Sequence, residues 1–188
     1  MRVFIAIDIE QERLEEIACL QGELGRKADL RKGDVKMVSP EAMHLTLKFL
    51  GEISDEQAVE VCGATEEVVS RNKRFEIGLE KVGSFGGKSP RVVWLGIGKG
   101  SEELCGLEVE LEERLAEIGW ARENREFEGH LTLCRVKNVK AGLRLKEEVK
   151  GYRDCKVGAT MVDSVCVYQS ELTSSGPIYT VLKKCWLK

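Results

Sequence analysis

Apolar and polar residues alternate over Arg2–Asp8 with the period of a strand, then switch over Ile9–Lys27 to helical spacing through Leu14, Ile17, Ala18 and Leu24. Arg31–Asp34 is a polar connection containing Gly33. Val35–Val38 predicts a short strand, and Ser39-Pro40 breaks the chain before a stronger strand over His44–Leu50. Ser54 reads as the N-cap of a helix over Asp55–Ser70, with acidic residues in its first turn. Phe75–Val82 and Arg91–Ile97 read as strands around a Gly/Ser-rich loop, Gly83–Pro90. Ser101 is expected to cap an amphipathic helix carrying Leu104, Leu107, Leu111, Leu115 and Ile118. Phe127–Val136 predicts a further strand and Leu143–Val149 a shorter helix. Ala159–Gln169 and Pro177–Trp186 predict two strands joined by the turn-rich stretch Glu171–Gly176. The order strand, helix, strand, helix appears in the first half and recurs more loosely in the second. That pattern predicts an α+β fold, one domain over residues 1–188 with two related lobes, rather than a parallel doubly wound sheet.

Composition narrows the function. At 188 residues with 43% hydrophobic and 32% charged, the chain is an ordinary globular protein. Its formal net charge of −3 argues against a protein that wraps a long duplex, so a nucleic-acid partner should be short or gripped at one end. The apolar start is too short for a signal-peptide core, and no later run approaches membrane-spanning length, so a cytoplasmic protein is expected. Seven cysteines form no Cys-x-x-Cys pair, which predicts buried free thiols and no metal or other cofactor.

The chain has two histidines, and each opens the same four residues: His44-Leu45-Thr46-Leu47 and His130-Leu131-Thr132-Leu133. On a strand the leucines face a core while His and Thr share the opposite face. Two such strands side by side would present two imidazoles and two hydroxyls to one cleft. Displacement at phosphorus needs one group to take a proton from the nucleophile and another to protonate the leaving oxygen. Imidazole does either near neutral pH, and a Thr hydroxyl can donate to a phosphate oxygen as charge builds. One such His alone would be read as a packing or surface residue. The matching second copy points to an acid–base pair.

Two His-x-Thr motifs, one per half, resemble the 2H phosphoesterase superfamily. His44-Leu-Thr-Leu-Lys-Phe-Leu-Gly51 resembles the first motif of its RNA 2′,3′-cyclic phosphodiesterase branch, also called 2′-5′ RNA ligases. Arg2–Asp8, Pro90-Arg-Val-Val-Trp-Leu-Gly96, His130-Leu-Thr-Leu-Cys-Arg135, Val167-Tyr-Gln-Ser-Glu-Leu172 and Gly176-Pro-Ile-Tyr179 resemble other parts of that family. The chain departs from it at Gly129, where Pro is common, and at Ala42, where Asn is frequent. The resemblance implies a bilobal domain with pseudo-symmetric halves, antiparallel sheets flanked by helices, and a central cleft. It implies metal-independent hydrolysis of RNA 2′,3′-cyclic phosphate ends to a 2′-phosphate, with 2′-5′ joining as a side activity in tRNA processing. It also implies His44 as the acid, His130 as the base, and Thr46 and Thr132 as holders of phosphate oxygens; from the residues alone, the two motifs are interchangeable.

Arg135 is the natural phosphate clamp, but strict alternation puts it on the leucine face; the clamp requires the strand to twist, bulge or end near Cys134. Phe49 has the same parity, which predicts a core residue, with a base-stacking platform as the alternative. Lys48 shares parity with His44, either adding positive potential to the cleft or pointing to solvent. Tyr168 and Ser170 share a face and are candidate cleft residues. The expected partners are RNA 3′ ends or small cyclic-phosphate nucleotides, with no membrane, bound by a monomer. Rival readings are a phosphodiesterase for small cyclic phosphates, a 2′-5′ tRNA ligase, and a non-catalytic RNA or nucleotide binder.

Overall fold

In the computed structural model, residues 1–173 and 176–188 are described. Among the described residues, nine strands form two antiparallel sheets: β1 (Arg2–Asp8), β2 (Val35–Met37), β3 (His44–Glu52), β4 (Phe75–Phe85), β5 (Val92–Ile97), β6 (His130–Val136), β7 (Lys156–Val162), β8 (Ser164–Thr173) and β9 (Gly176–Trp186). Four helices intervene: α1 (Gln11–Lys27), α2 (Asp55–Val69), α3 (Ser101–Glu117) and α4 (Val139–Val149). The first sheet runs β3-β1-β8-β9 and the second β2-β6-β5-β4-β7. This is the α+β architecture expected.

Each helix carries an apolar stripe, and α2 and α4 also start at a side-chain cap. Leu14, Ile17, Leu20 and Leu24 of α1 are buried, each contributing roughly 1.5–3 kcal/mol of apolar burial. Ser54 closes a capping box with Gln57 at the start of α2. Asn138 caps α4, which begins four residues earlier than the apolar pattern suggests. Ser101 is the first helical residue of α3 rather than its cap. Gly100 caps it at φ 76°, and a Cβ there would meet the Glu76 carbonyl oxygen at 2.1 Å. α1 and α4 pack behind the second sheet, α2 behind the first, and α3 lies against α2, β3 and β4.

Several strand boundaries also differ from the pattern reading. β4 runs on through Gly83 to Phe85, and β6 begins at His130 rather than Phe127. Ala159–Gln169 is two strands, because the chain leaves the second sheet at Asp163 and joins the first. Of the turn expected over Glu171–Gly176, Glu171–Thr173 and Gly176 are strand, while Ser174 and Ser175 lie outside the described residues.

The sheets are related as two copies of one plan. β1-α1-β3-α2 and β5-α3-β6-α4 follow the same course, and β3 beside β1 matches β6 beside β5. The lobes are not the sequence halves, however. The last two strands return to the first sheet, and β2 and β4, both from the first half of the chain, lie in the second. β3 and β6, the strands that carry the two repeated tetrapeptides, pack against each other.

Candidate active site

His44 lies opposite Asp8 across β3 and β1, Leu45 opposite Ile7, and Thr46 opposite Ala6. In the second sheet His130 lies opposite Gly96, Leu131 opposite Leu95, and Thr132 opposite Trp94. Leu45, Leu47, Leu131 and Leu133 are buried in the main core, while His44, Thr46, His130 and Thr132 are half-buried on the open faces.

Both strands then bulge at the same point. Lys48 pairs with Ile5 while Thr46 pairs with Ala6, so Leu47 is one residue extra. Cys134 pairs with Val93 while Thr132 pairs with Trp94, leaving Leu133 extra. A bulge places two consecutive side chains on one face and reverses parity beyond it. Leu133 and Cys134 both point into the core, and Arg135 emerges on the face of His130 and Thr132, beside Val92. In the first sheet Leu47 and Lys48 point inward, and Phe49 emerges on the His44 face, 66% exposed.

Two expectations are thereby corrected. Phe49 is not a core residue. Lys48 does not reach the cleft: it is 5% exposed, its Nζ sits 2.5 Å from Glu112 Oε1 on α3, and it donates to the Ala121 carbonyl at 2.8 Å. Phe49 and Arg135 occupy equivalent places in the two lobes, one aromatic and one cationic.

Each imidazole is fixed by the backbone two residues earlier. His130 Nδ1 donates to the Glu128 carbonyl at 2.7 Å, and the His44 ring hydrogen-bonds the Ala42 backbone. A carbonyl only accepts, so His130 carries its proton on Nδ1 and keeps Nε2 for chemistry. Each ring also has an aromatic edge at 5.1 Å: Tyr179 against His44 and Phe85 against His130. Phe4 stacks on His44 at 4.6 Å, and Trp94 stands 6.2 Å from His130.

The surroundings are not symmetric. The His44 ring lies against a small apolar patch of Phe4, Ala6, Cys166 and Tyr168, separate from the main core, with Tyr179 packed against it. Burial pushes its imidazole down to about 4, against the pull of Asp8 and the Ala42 backbone. Asp8 accepts the Tyr168 hydroxyl on one oxygen and the Cys166 thiol at 3.6 Å on the other. Burial and Asp8 together raise both of those groups, Cys166 to about 11. Tyr168 therefore supports His44 from beneath, at 9% exposure, while Ser170 sits two residues further along the same face, half-buried between Arg2 and Tyr179. Burial raises the Tyr179 phenol, and the charge of the Arg135 guanidinium opposes it.

The pattern reading singled out neither Asp8 as a partner of His44 nor the rings of Phe4, Phe85, Trp94 and Tyr179. Phe4 and Trp94 carry a usable signal, the parity of their strands; the other contacts depend on how the sheets meet. Among the described residues, no group of three or more His, Cys, Asp or Glu side chains is placed to hold a metal ion.

The fold and its paired His-x-Thr strands define a two-lobed phosphoesterase of the two-histidine class. A family model described as LigT like Phosphoesterase matches residues 7–94 and 98–179, and the chain belongs to that family. It is 34% identical to the RNA 2′,3′-cyclic phosphodiesterase of Methanocaldococcus jannaschii, over 98% of this chain and 99% of that one. A protein of the same name from Aeropyrum pernix is 37% identical over 85% and 93%. TT0787 of Thermus thermophilus superposes with a TM-score of 0.77 at 25% identity, covering 99% of this chain and 97% of that. E. coli LigT complexed with 3′-AMP gives 0.78 at 26%, covering 100% and 98%.

Proposed function

We propose that the protein hydrolyses RNA 2′,3′-cyclic phosphate ends to 2′-phosphates without a metal, with His44 and His130 as an acid–base pair. The observation that carries this reading is the doubled strand: His, Thr and a bulge recur at matching register in two sheets whose motif strands touch. His130 takes a proton from water through Nε2 as the oxygen attacks phosphorus. The P–O3′ bond breaks, and His44 gives its proton to O3′. The products are a 2′-phosphate and a free 3′-hydroxyl. Thr46 and Thr132 donate to the non-bridging oxygens, and Arg135 grips one of them bidentately. Phe49, exposed beside Phe4 at 6.0 Å between ring centres, offers a face to the terminal base. His44 is held neutral by burial in the free protein; the phosphate anion arriving beside it opposes that burial and loads the proton that the leaving oxygen needs.

The names of the relatives support the substrate, and the E. coli structure with 3′-AMP supports a nucleotide ligand. When the 5′-hydroxyl of a second RNA replaces water as the nucleophile, the same groups act, the same P–O3′ bond breaks and a 2′-5′ bond forms, a side activity at high end concentration. We place the protein in the cytoplasm as a monomer; no described helix is long and apolar enough to cross a membrane.

The test is a short RNA ending in a 2′,3′-cyclic phosphate, incubated in EDTA with wild type, His44→Ala and His130→Ala. Conversion by wild type to the 2′-phosphate, lost in both variants, supports the pair. Binding without conversion turns the reading to a binder, and loss in EDTA restored by zinc turns it to a metal enzyme. The rate should be bell-shaped in pH, because one imidazole must be neutral and the other charged.

A further inference from the structure

The edge strand β2 is three residues long and pairs with β6 so that Lys36 lies directly opposite Arg135. Directly opposite residues of antiparallel strands point to the same face, with Cβ atoms roughly 4.5–5.5 Å apart. Because the bulge turns Arg135 to the cleft face, Lys36 stands on that face too. Its neighbour Met37, opposite buried Cys134, points the other way, its methyl lying beside Gly25 of α1.

Two cations directly across a ladder repel each other. Neither has a carboxylate to relieve the repulsion: among the described residues, no ion pair includes Lys36 or Arg135. The nearest acid along the strand, Asp34, is bonded to Arg144 and Asn138 instead. A lysine on an edge strand also deters strand addition. That role calls for a charge on the edge, but not for one set against Arg135 on the cleft face. An anion lying over both side chains removes the repulsion and satisfies both.

We propose that Lys36, beside Arg135, forms a subsite for the phosphate that joins the terminal nucleotide to the rest of the RNA, so that the protein selects chain ends over free cyclic mononucleotides. This rests on the function proposed above, in which Arg135 holds the cyclic phosphate. The next phosphate on the 5′ side then lies toward the rim, where Lys36 stands. Lys36 makes no contact with the reacting atoms and acts on selection alone.

The experiment compares adenosine 2′,3′-cyclic phosphate with the same compound carrying a 5′-phosphate, for wild type, Lys36→Gln and Lys36→Arg, by kcat/KM. The wild type should prefer the 5′-phosphorylated substrate, and Lys36→Gln should reduce that preference about five- to tenfold, mainly through KM. Lys36→Arg should retain it, and the salt dependence on the 5′-phosphorylated substrate should fall in Lys36→Gln by about one phosphate contact. An equal loss on both substrates, or no loss of preference, overturns the proposal. If wild type turns over neither compound, the proposed activity fails separately. Lys36 is then judged on fluorescence anisotropy of a labelled RNA ending in a 2′-phosphate, competed by adenosine 2′-phosphate with and without a 5′-phosphate. The proposal then fails if the 5′-phosphate gives no advantage, or an advantage that Lys36→Gln leaves intact.

Discussion

Replacing Lys48 by Met tests whether the inward turn of that side chain is held by charge. Lys48 is 5% exposed and meets Glu112 Oε1 at 2.5 Å, while the other Glu112 oxygen accepts the Glu123 backbone N–H at 3.1 Å. Glu108, one helical turn away, is buried beside them. Burial and then Glu112 push its carboxyl up to about 6, and Lys48 pulls it down. Methionine fills most of the space but removes the cation, leaving the buried Glu112 carboxylate without its partner. Removing one partner of a buried pair costs about 3–5 kcal/mol. Because Glu112 keeps its Glu123 contact, we take the lower end, about 3 kcal/mol at pH 8, or a urea midpoint lower by roughly 1.5 M at m near 2 kcal/mol/M. Without Lys48 the Glu108 carboxyl rises further above its unfolded value. A raised carboxyl contributes stability below the unfolded value near ~4.3 and loses it as pH rises through the folded one. The loss should therefore be smaller at pH 4.5, where the Glu108 carboxyl is protonated, than at pH 8. Lys48→Met/Glu112→Gln, which keeps an acceptor for Glu123, should recover stability at pH 8. Urea unfolding followed by circular dichroism at both pH values measures this, each variant against wild type. Equal losses at the two pH values, or no recovery in the double variant at pH 8, would refute the reasoning.

Further outcomes rest on particular contacts. The His44 ring signals in a proton NMR titration should move near pH 4 in the free protein, and near the ordinary ~6.5 with a nucleoside 2′-phosphate bound; titration near ~6.5 in the free state contradicts the burial argument. The same lowered value means His44 stabilises the fold above ~6.5 and loses that contribution as pH falls toward about 4, which a pH series of thermal melts on wild type and His44→Gln would show. Gly83→Ala should cost about 1–3 kcal/mol by urea unfolding, because a Cβ there lies 2.2 Å from the Trp94 ring; an unchanged midpoint would mean the ring moves freely. Phe49→Ala should change stability by less than about 0.5 kcal/mol, since the ring is 66% exposed, yet raise KM for a nucleotide substrate, and an unchanged KM removes Phe49 from base stacking.

The sequence by itself determined most elements and the chemistry they carry. Leu14, Ile17 and Leu24 mark α1 because helical spacing alone puts them on one face, and His44-x-Thr46 and His130-x-Thr132 mark a shared face because strand periodicity is two. Such local periods are written in consecutive residues. Only the tertiary structure decided the direction of the side chains beyond each Thr. An extra residue in a ladder depends on which residue of the neighbouring strand it faces, and nothing in Leu-Lys-Phe or Leu-Cys-Arg declares it. That single residue sends Lys48 to Glu112 and brings Phe49 and Arg135 to the cleft. The partition of the lobes was likewise hidden, because β8 and β9 return to the first sheet from the far end of the chain. So was the support of His44 by Asp8 and Tyr168, two residues 160 positions apart that meet through a sheet order no local pattern encodes.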